Sequence, residues 1–516
     1  MLKNYFKIAW VNLFRNKGFS LINILGLSTG MICAIFILLW VNDELTFNKD
    51  QKNYDNIYQV YANRNFNNTI TTDKQIVFPL AKALESGYSQ VKNAVVVSND
   101  WSHMLFYNGK KLNKKGLAVS EHFFEIFTCK FIKGNVQTAL NDPNSLVLTE
   151  STALALFGNE EPLGKIIKMD KDLSTAQTIT QTKVTAVIAD PPKNSSFDFE
   201  YIETYSTELF NNAMKQWSQP YWSIYVQSVP NANIVVLDKN INDVVKTHNP
   251  GDKISTYFTF PMSKWHLENE FKDGFNTGGA IEYVKLFSII ALVILLIACI
   301  NFMNLSTARS EKKSKEVGVR KTLGSSKKQL VVQFFCESFL LTFIAFSIAL
   351  ISVYFLLPSF NLFINKDLHL DISKPYFWAG ILSVLLFTGV ISGSYPAFYL
   401  SSFKPIAVLK GINISGRKSI LPRRVLVTAQ FIISILLIFV TIIVYQQLAY
   451  VKGRAIGYEA ENLLMVVSSP DLNKNFSVLK EELLKTGSVE AVTRTSSPLT
   501  DIWWNNVPSP DWEGKQ

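Results

Sequence analysis

Two glycine-rich stretches come close to a phosphate-binding loop, the backbone cradle that an ATP-hydrolysing chain needs. In GNEEPLGKII (Gly158–Ile167) one residue too many separates the glycines, and no Ser or Thr follows the lysine to ligate Mg²⁺. In GINISGRKS (Gly411–Ser419) Arg417 stands where the lysine belongs, and the stretch runs into an apolar segment instead of a nucleotide-binding fold. Neither supports an ATPase within this chain. His103, His122, His248 and His266 are scattered without metal-ligand spacing and read as ordinary surface or core residues. Asp198 and Glu200 in NSSFDFEYIE alternate on one face of an expected strand, which a solvated face explains better than acid–base chemistry. Cys33, Cys129, Cys299 and Cys336 show no CxxC spacing, and only Cys129 lies outside the apolar runs, so neither a disulfide framework nor a zinc site is expected. With no convergent catalytic or metal-ligating set, the expectation is a non-enzymatic chain.

Functional side chains concentrate instead in NLSTARSEKKSKEVGVRKTLGSSKKQL, Asn304–Leu330. It sets Arg309, Lys312, Lys313, Lys315, Arg320, Lys321, Lys327 and Lys328 against Glu311 and Glu316 alone. Glu316 and Arg320 stand at i and i+4, the favourable order for a helical ion pair worth about 0.2–0.5 kcal/mol. Val319 and Leu323 share a neighbouring face. Gly324 suits the left-handed residue that ends a helix, and Ser326 with Gln329 makes a capping box that opens the next. The stretch therefore reads as a short helix, a sharp stop and a new start. Lys312, Lys313 and Lys315 suit anionic lipid headgroups, each contributing about 1 kcal/mol near the surface. That bland reading leaves the apolar face and the stop-and-start unexplained.

The elements that position this stretch are membrane spans. The chain has 516 residues, 48% of them hydrophobic and 18% charged, with a mean hydropathy of +0.14. The apolar excess gathers in runs near or above the roughly 20 residues that cross a bilayer. These are residues 19–41, 284–305, 330–357, 377–399 and 425–445. The first runs past the length of a signal-peptide core and exits through LLWVNDEL, which offers no small-residue cleavage site, so it reads as a retained span.

Charge sets the expected topology. Lys3, Lys7, Arg15 and Lys17 precede the first span, while Asp43 and Glu44 follow it, which places the N-terminus in the cytoplasm. Residues 306–329 and 400–424 are basic and fall inside; residues 358–376 balance their charges and fall outside. The net charge of +10 is thus mainly a topology signal, and nucleic acid is not an expected partner. Residues 1–18 place Phe6, Trp10, Leu13 and Phe14 near one helical face, as in a helix lying along the interface or extending the first span.

Residues 42–283 form a large extracytoplasmic loop with its own core. NIYQVYA, NAVVVS, KVTAVIAD and WSIYVQSV read as strands, and FPLAKALESG, SEHFFEIF and TESTALALFG as short helices, the last ending at Gly158. The expected fold class is a multi-pass α-helical membrane protein with a large α+β extracytoplasmic domain, built as two lobes. Gly26 with Gly30, and Gly389 with Gly393, have the small-xxx-small spacing that lets helices approach closely, whether inside the bundle or in a dimer.

A weak internal repeat aligns Leu80, Leu84, Val91, Ala94, Val95 and Ser98 with Leu479, Leu483, Val489, Ala491, Val492 and Ser496. It implies that the fifth span opens a second copy of the unit, that residues 446–516 begin a second extracytoplasmic domain, and that the rest of that copy, with about three more spans, is missing.

The chain resembles the FtsX-like, MacB-type permeases of the ABC transporter superfamily. The resemblance rests on NKGFSLINILGLSTG, NSLVLTESTALALFGNEEPLGKII, VTAVIADPPKNSSFDF, ACINFMNLSTARSEKKSKEVGVRKTLGSSKKQLVVQFFCESFL and GSYPAFYLSSFKPIAVLKG, all in register. It implies a MacB-type periplasmic core domain and the eight-span plan whose ATPase is a separate chain, since only about eighteen residues precede the first span. It further implies a permease dimer in the inner membrane, ATP and Mg²⁺ held by the cytoplasmic ABC ATPase and not by this chain, and a periplasmic adaptor as a further partner. Glu316, Val317, Gly318, Val319, Arg320, Lys321, Leu323 and Gly324 would form the coupling helix that docks into the ATPase and transmits its motion outward for export or extraction of an envelope substrate. Regulation of an envelope hydrolase and release of lipoproteins are the alternative uses of the same family. A membrane receptor is a weaker reading, because no inside loop is long enough for an output domain.

Overall fold

The computed structural model describes residues 2–98, 101–170, 179–308, 310–402, 417–454, 462–466 and 470–497. The chain separates into two units, one of membrane helices and one centred on the soluble domain inserted after the first span.

Among the described residues, five helices are long and apolar enough to cross a membrane: Lys17–Leu45, Ile281–Thr307, Lys327–Ile364, Phe377–Tyr399 and Arg424–Gly453. The first has 29 residues, roughly 44 Å at about 1.5 Å per residue, against a hydrocarbon core about 30 Å thick. Hydroxyls along these helices satisfy themselves on the preceding turn, as Thr29 does on the Leu25 carbonyl (2.9 Å), Thr307 on Met303 (2.8 Å) and Thr388 on Val384 (2.7 Å). The four small-spaced glycines lie at contacts inside this unit. A Cβ added at Gly30 would stand 2.6 Å from the Ala298 Cβ, and one at Gly26 3.3 Å from Asn301 Nδ2, so both pack the first span on the second. A Cβ at Gly389 would meet the Phe339 ring at 2.5 Å and one at Gly393 the Ser338 Cβ at 3.0 Å, packing the fourth span on the third.

The N-terminal helix Leu2–Arg15 buries Ala9 and packs Leu13 against the cluster of Leu27, Phe302 and Leu341. Phe6, Trp10, Val11 and Phe14 stay exposed. Leu13 stands at the edge of the apolar stripe beside Ala9 and turns to the bundle, so the helix divides its apolar residues between bundle and surroundings.

The soluble unit is built on a mixed sheet. Strands Ile57–Phe66, Val91–Val97, Pro220–Ser228 and Ser255–Pro261 pack with helices Leu80–Gly87 and Ile234–His248 around Val60, Leu84, Val96, Ile224 and Ile241. Strands Trp101–Tyr107, Ser145–Thr149, Ile166–Asp170 and Ile179–Ile188 pack with helix Glu150–Phe157 around Leu105, Leu146, Leu156, Ile167 and Val184. Two apolar clusters therefore share one sheet, joined through strand Lys110–Val119. Ser145–Thr149 is buried at every position, the pattern of a strand covered on both faces. Glu150–Phe157 ends at Gly158, whose φ of +61° a side chain would resist.

Asp198 and Glu200 do not lie on a strand; the strand begins at Tyr201. The irregular segment before it is held by cross-chain charges, Glu200 on Lys114 at 2.6 Å and Asp198 on Lys115 at 3.1 Å. Gly116, which pairs with Tyr201, leaves the space that the Tyr201 ring fills, since a Cβ there would overlap it.

Past the fifth span, the segment aligned with the first repeat forms a helix, Phe476–Lys485, that buries none of its residues. Its counterpart Leu80–Gly87 is followed by strand Val91–Val97, which pairs with Pro220–Ser228. No strand follows the second helix among the described residues. The helix needs only local bonds, whereas the strand needs a partner edge.

Candidate coupling site

The basic stretch between the second and third spans forms a helix, Ser310–Thr322, and its residues divide between two faces. Inward, Val317 is 2% exposed and sits in a socket of Leu330, Phe334 and Ala397, contributed by the third and fourth spans. Gly318 beside it is also buried. Arg320 bridges its own helix to the third span, donating to Glu316 Oε1 at 2.6 Å and to Gln333 Oε1 at 2.5 Å. Lys321 Nζ donates to the Ser401 carbonyl at the end of the fourth span, at 2.7 Å. Burial, then the charge of Lys327, draws the Lys321 pKa below the ordinary lysine value. One apolar plug and two cations thus fix this helix to two different spans.

Outward, Val319 is 47% exposed and Leu323 81% exposed, an apolar pair that nothing in this chain covers among the described residues. The two stand at i and i+4 and so form one small apolar patch on that face.

The stop is as sharp as the sequence implied. Gly324 has φ +96°, its N–H donates to the Lys321 carbonyl at 3.1 Å, and Ser325 N–H donates to the Arg320 carbonyl at 3.0 Å, closing a Schellman-type end. Ser326 then caps the 38-residue helix Lys327–Ile364 with a complete capping box. Gln329 N–H donates to Ser326 Oγ at 3.3 Å, and Ser326 N–H to Gln329 Oε1 at 2.9 Å. Nothing in this turn is slack.

The sequence found the Glu316–Arg320 pair, the stop and the box. It assigned Val317, Gly318, Arg320 and Lys321 to an outside partner, whereas the structure turns them toward the spans. It missed Gln333 and Ser401. The signal for Gln333 was present, an amide inside the apolar run LVVQFFCES, where an unpaired polar group is costly. The side chains of Lys312, Lys313 and Lys315 lie outside the described residues, as do residues 403–416 with Lys404, Lys410 and most of the second phosphate-loop look-alike. Among the described residues no group of His, Cys, Asp and Glu could hold a metal ion.

Five bilayer-length helices among the described residues, with an α+β domain after the first, define a multi-pass helical membrane protein. Residues 20–244 match the MacB-like periplasmic core domain, and residues 288–405 match the FtsX-like permease C-terminal domain. The macrolide export ATP-binding/permease protein MacB of Mannheimia succiniciproducens is 24% identical over 427 residues, 79% of this chain and 61% of that one. The protein of the same description from Burkholderia thailandensis is 23% identical over 415 residues, 78% of this chain and 59% of that one. The chain therefore spans about three fifths of the length of these curated relatives. Among solved structures, the periplasmic region of MacB from Actinobacillus actinomycetemcomitans is 21% identical, covering 40% of this chain and 89% of that structure, with a TM-score of 0.30. The chain belongs to the ABC transporter permeases that combine a MacB-like periplasmic core domain with an FtsX-like permease domain.

Proposed function

We propose that this chain is the membrane subunit of an ABC transporter in which a separate cytoplasmic ATPase docks on Val319 and Leu323. In this reading the N-terminus and the helix Ser310–Thr322 lie in the cytoplasm, and the soluble domain lies outside the inner membrane. ATP-driven closure of the ATPase displaces the helix, and the two spans carry that displacement outward to extract or export an envelope substrate. ATP and Mg²⁺ belong to the partner, the permease works as a dimer, and a periplasmic adaptor completes the outer path.

The observation that carries the reading is the division of one short helix into a fixed face and an uncovered apolar pair. A lipid-surface loop has no need of Val317 in a socket or of Arg320 tied across to Gln333. The test reconstitutes the full chain in nanodiscs with the ABC ATPases of its own genome and measures permease-stimulated ATP hydrolysis. One of them is expected to be stimulated by the wild-type chain. Equal hydrolysis with and without the chain for all of them would contradict the reading.

A further inference from the structure

At the other end of the first span lies a second built site, used by nothing described so far. Past the span, Asn48 is 1% exposed and takes a left-handed backbone with φ +61°. It reads the loop Lys193–Ser196 with every polar group it has except its own carbonyl. Its backbone N–H donates to the Asn194 carbonyl at 3.0 Å. Its Nδ2 donates to Ser196 Oγ at 2.7 Å, and its Oδ1 accepts from the Ser196 N–H at 2.7 Å. Lys193 adds an ion pair to Asp367, 3.2 Å away, just past the third span.

The ground under Asn48 is equally fixed. Lys366 donates to Asp43 and to Glu44, each at 2.6 Å, tying the end of the third span to the end of the first. His266, which precedes the second span, hydrogen-bonds the other oxygen of Glu44 and stacks on Phe47, with ring centroids 3.6 Å apart. Burial opposes the Lys366 charge, but its two carboxylate partners raise its pKa above the ordinary lysine value. Lys366 therefore stays charged under any physiological condition.

The loop itself is unusual in where it belongs. Residues Lys193–Ser196 group with the membrane helices, while the chain up to Pro192 and again from Phe197 groups with the soluble unit. Pro191 and Pro192 precede it, each with a fixed φ. It connects strand Ile179–Ile188 to strand Tyr201–Thr204, two strands of the soluble sheet. A stiff loop seated on the ends of the spans and continuous with two core strands is a short lever.

We propose that Asn48 is a positioning residue that clips this loop to the ends of the first and third spans, so that movement of those spans reaches the soluble domain through Lys193–Ser196. The proposal rests on the coupling reading above and names the outer end of the same transmission. Asn48 touches no substrate; it acts through the loop it holds.

The experiment is hydrogen–deuterium exchange on the full chain in nanodiscs with its ATPase, nucleotide-free and trapped with ATP and vanadate. In Asn48→Ala without nucleotide, exchange of the Lys193–Phe197 amides is expected to rise about tenfold, the loss of roughly one net hydrogen bond, with exchange in Ile57–Phe66 unchanged as the folding control. On trapping, the wild type is expected to change at both Ser310–Thr322 and Tyr201–Thr204. Asn48→Ala is expected to keep the first change and lose the second. Asn48→Asp, which retains the acceptor for the Ser196 N–H and tolerates the left-handed backbone, is expected to recover much of it. Unchanged loop exchange in Asn48→Ala, or a full response at Tyr201–Thr204, would overturn the clip. A wild-type chain that responds nowhere on trapping would instead overturn the coupling reading, and with it the use assigned to the clip, even if the loop exchange rose as expected.

Discussion

Single side chains decide the coupling site. Arg320 serves two acceptors, Glu316 and Gln333, and a hydrogen bond to a charged group contributes about 1.5–3 kcal/mol when well shielded. Arg320 is partly exposed, so Arg320→Ala is expected to loosen the helix by about 1 kcal/mol, read as faster amide exchange over Ser310–Thr322 with the soluble domain unaffected. Half-buried Cys129 gives an independent check on the soluble domain. Burial, with the nearby Asp50 charge, pushes its pKa up to about 12. At about pH 8 the thiolate is then roughly one part in ten thousand, so iodoacetamide is expected to spare Cys129 in the native chain and label it after denaturation. Rapid native labelling would show that this part of the domain is open. What the sequence revealed at this scale was whatever acts between near neighbours, such as Glu316 with Arg320. What it hid was long-range. Gln333 and Ser401 meet the helix only after the spans have packed, and Lys114 and Lys115 capture Glu200 and Asp198 across the sheet.

At the scale of elements, the turn between helix and third span concentrates local signals that all agree. Gly324→Val places a β-branched residue at φ +96°, a conformation that costs about 1–2 kcal/mol for a residue with a side chain. Ser326→Ala removes the capping box, at about 1 kcal/mol. Both are expected to lower permease-stimulated ATP hydrolysis without preventing insertion, because they blur the angle between helix and span while leaving the apolar run intact. In the soluble domain, His122 precedes the short helix Phe123–Ile126 in a left-handed backbone, with no side-chain capping bond. Burial pushes its pKa down, but the hydrogen bond to Glu125 and the charges of Glu85, Glu125 and Glu121 outweigh burial, and the net shift is upward. The stabilisation is therefore complete below the ordinary histidine value and is lost as pH rises through the raised one. The wild type is expected to lose thermal stability as pH rises from the ordinary histidine value through the raised one, and His122→Asn is expected to flatten that dependence. Helices and caps such as these were legible because their bonds lie within a turn. The strand expected after the second repeat helix was not, because strands exist only beside a partner.

At the scale of the whole molecule, the account is of a rigid relay. The first span is packed on the second at Gly30 and the fourth on the third at Gly389, with no room for a side chain at either. Gly30→Leu or Gly389→Leu is expected to force the helices apart at about 1–3 kcal/mol or more, measured as a lower unfolding temperature and reduced stimulation of the ATPase together. The spans, their order and the two-part plan were legible from hydropathy, since the bilayer imposes it on the sequence. The division of one short helix into a clamped face and a free one was not, because it depends on which spans meet around it. The central claim is that the free face receives the ATPase, and Leu323→Asp tests it most directly. Leu323 is 81% exposed, so the substitution should change stability by no more than about 0.5 kcal/mol while placing a charge in the docking anchor. In nanodiscs with the ATPase that the wild-type chain stimulates, Leu323→Asp is expected to insert and fold normally, yet lose ATPase binding and stimulation. Retention of wild-type stimulation by Leu323→Asp would contradict the account.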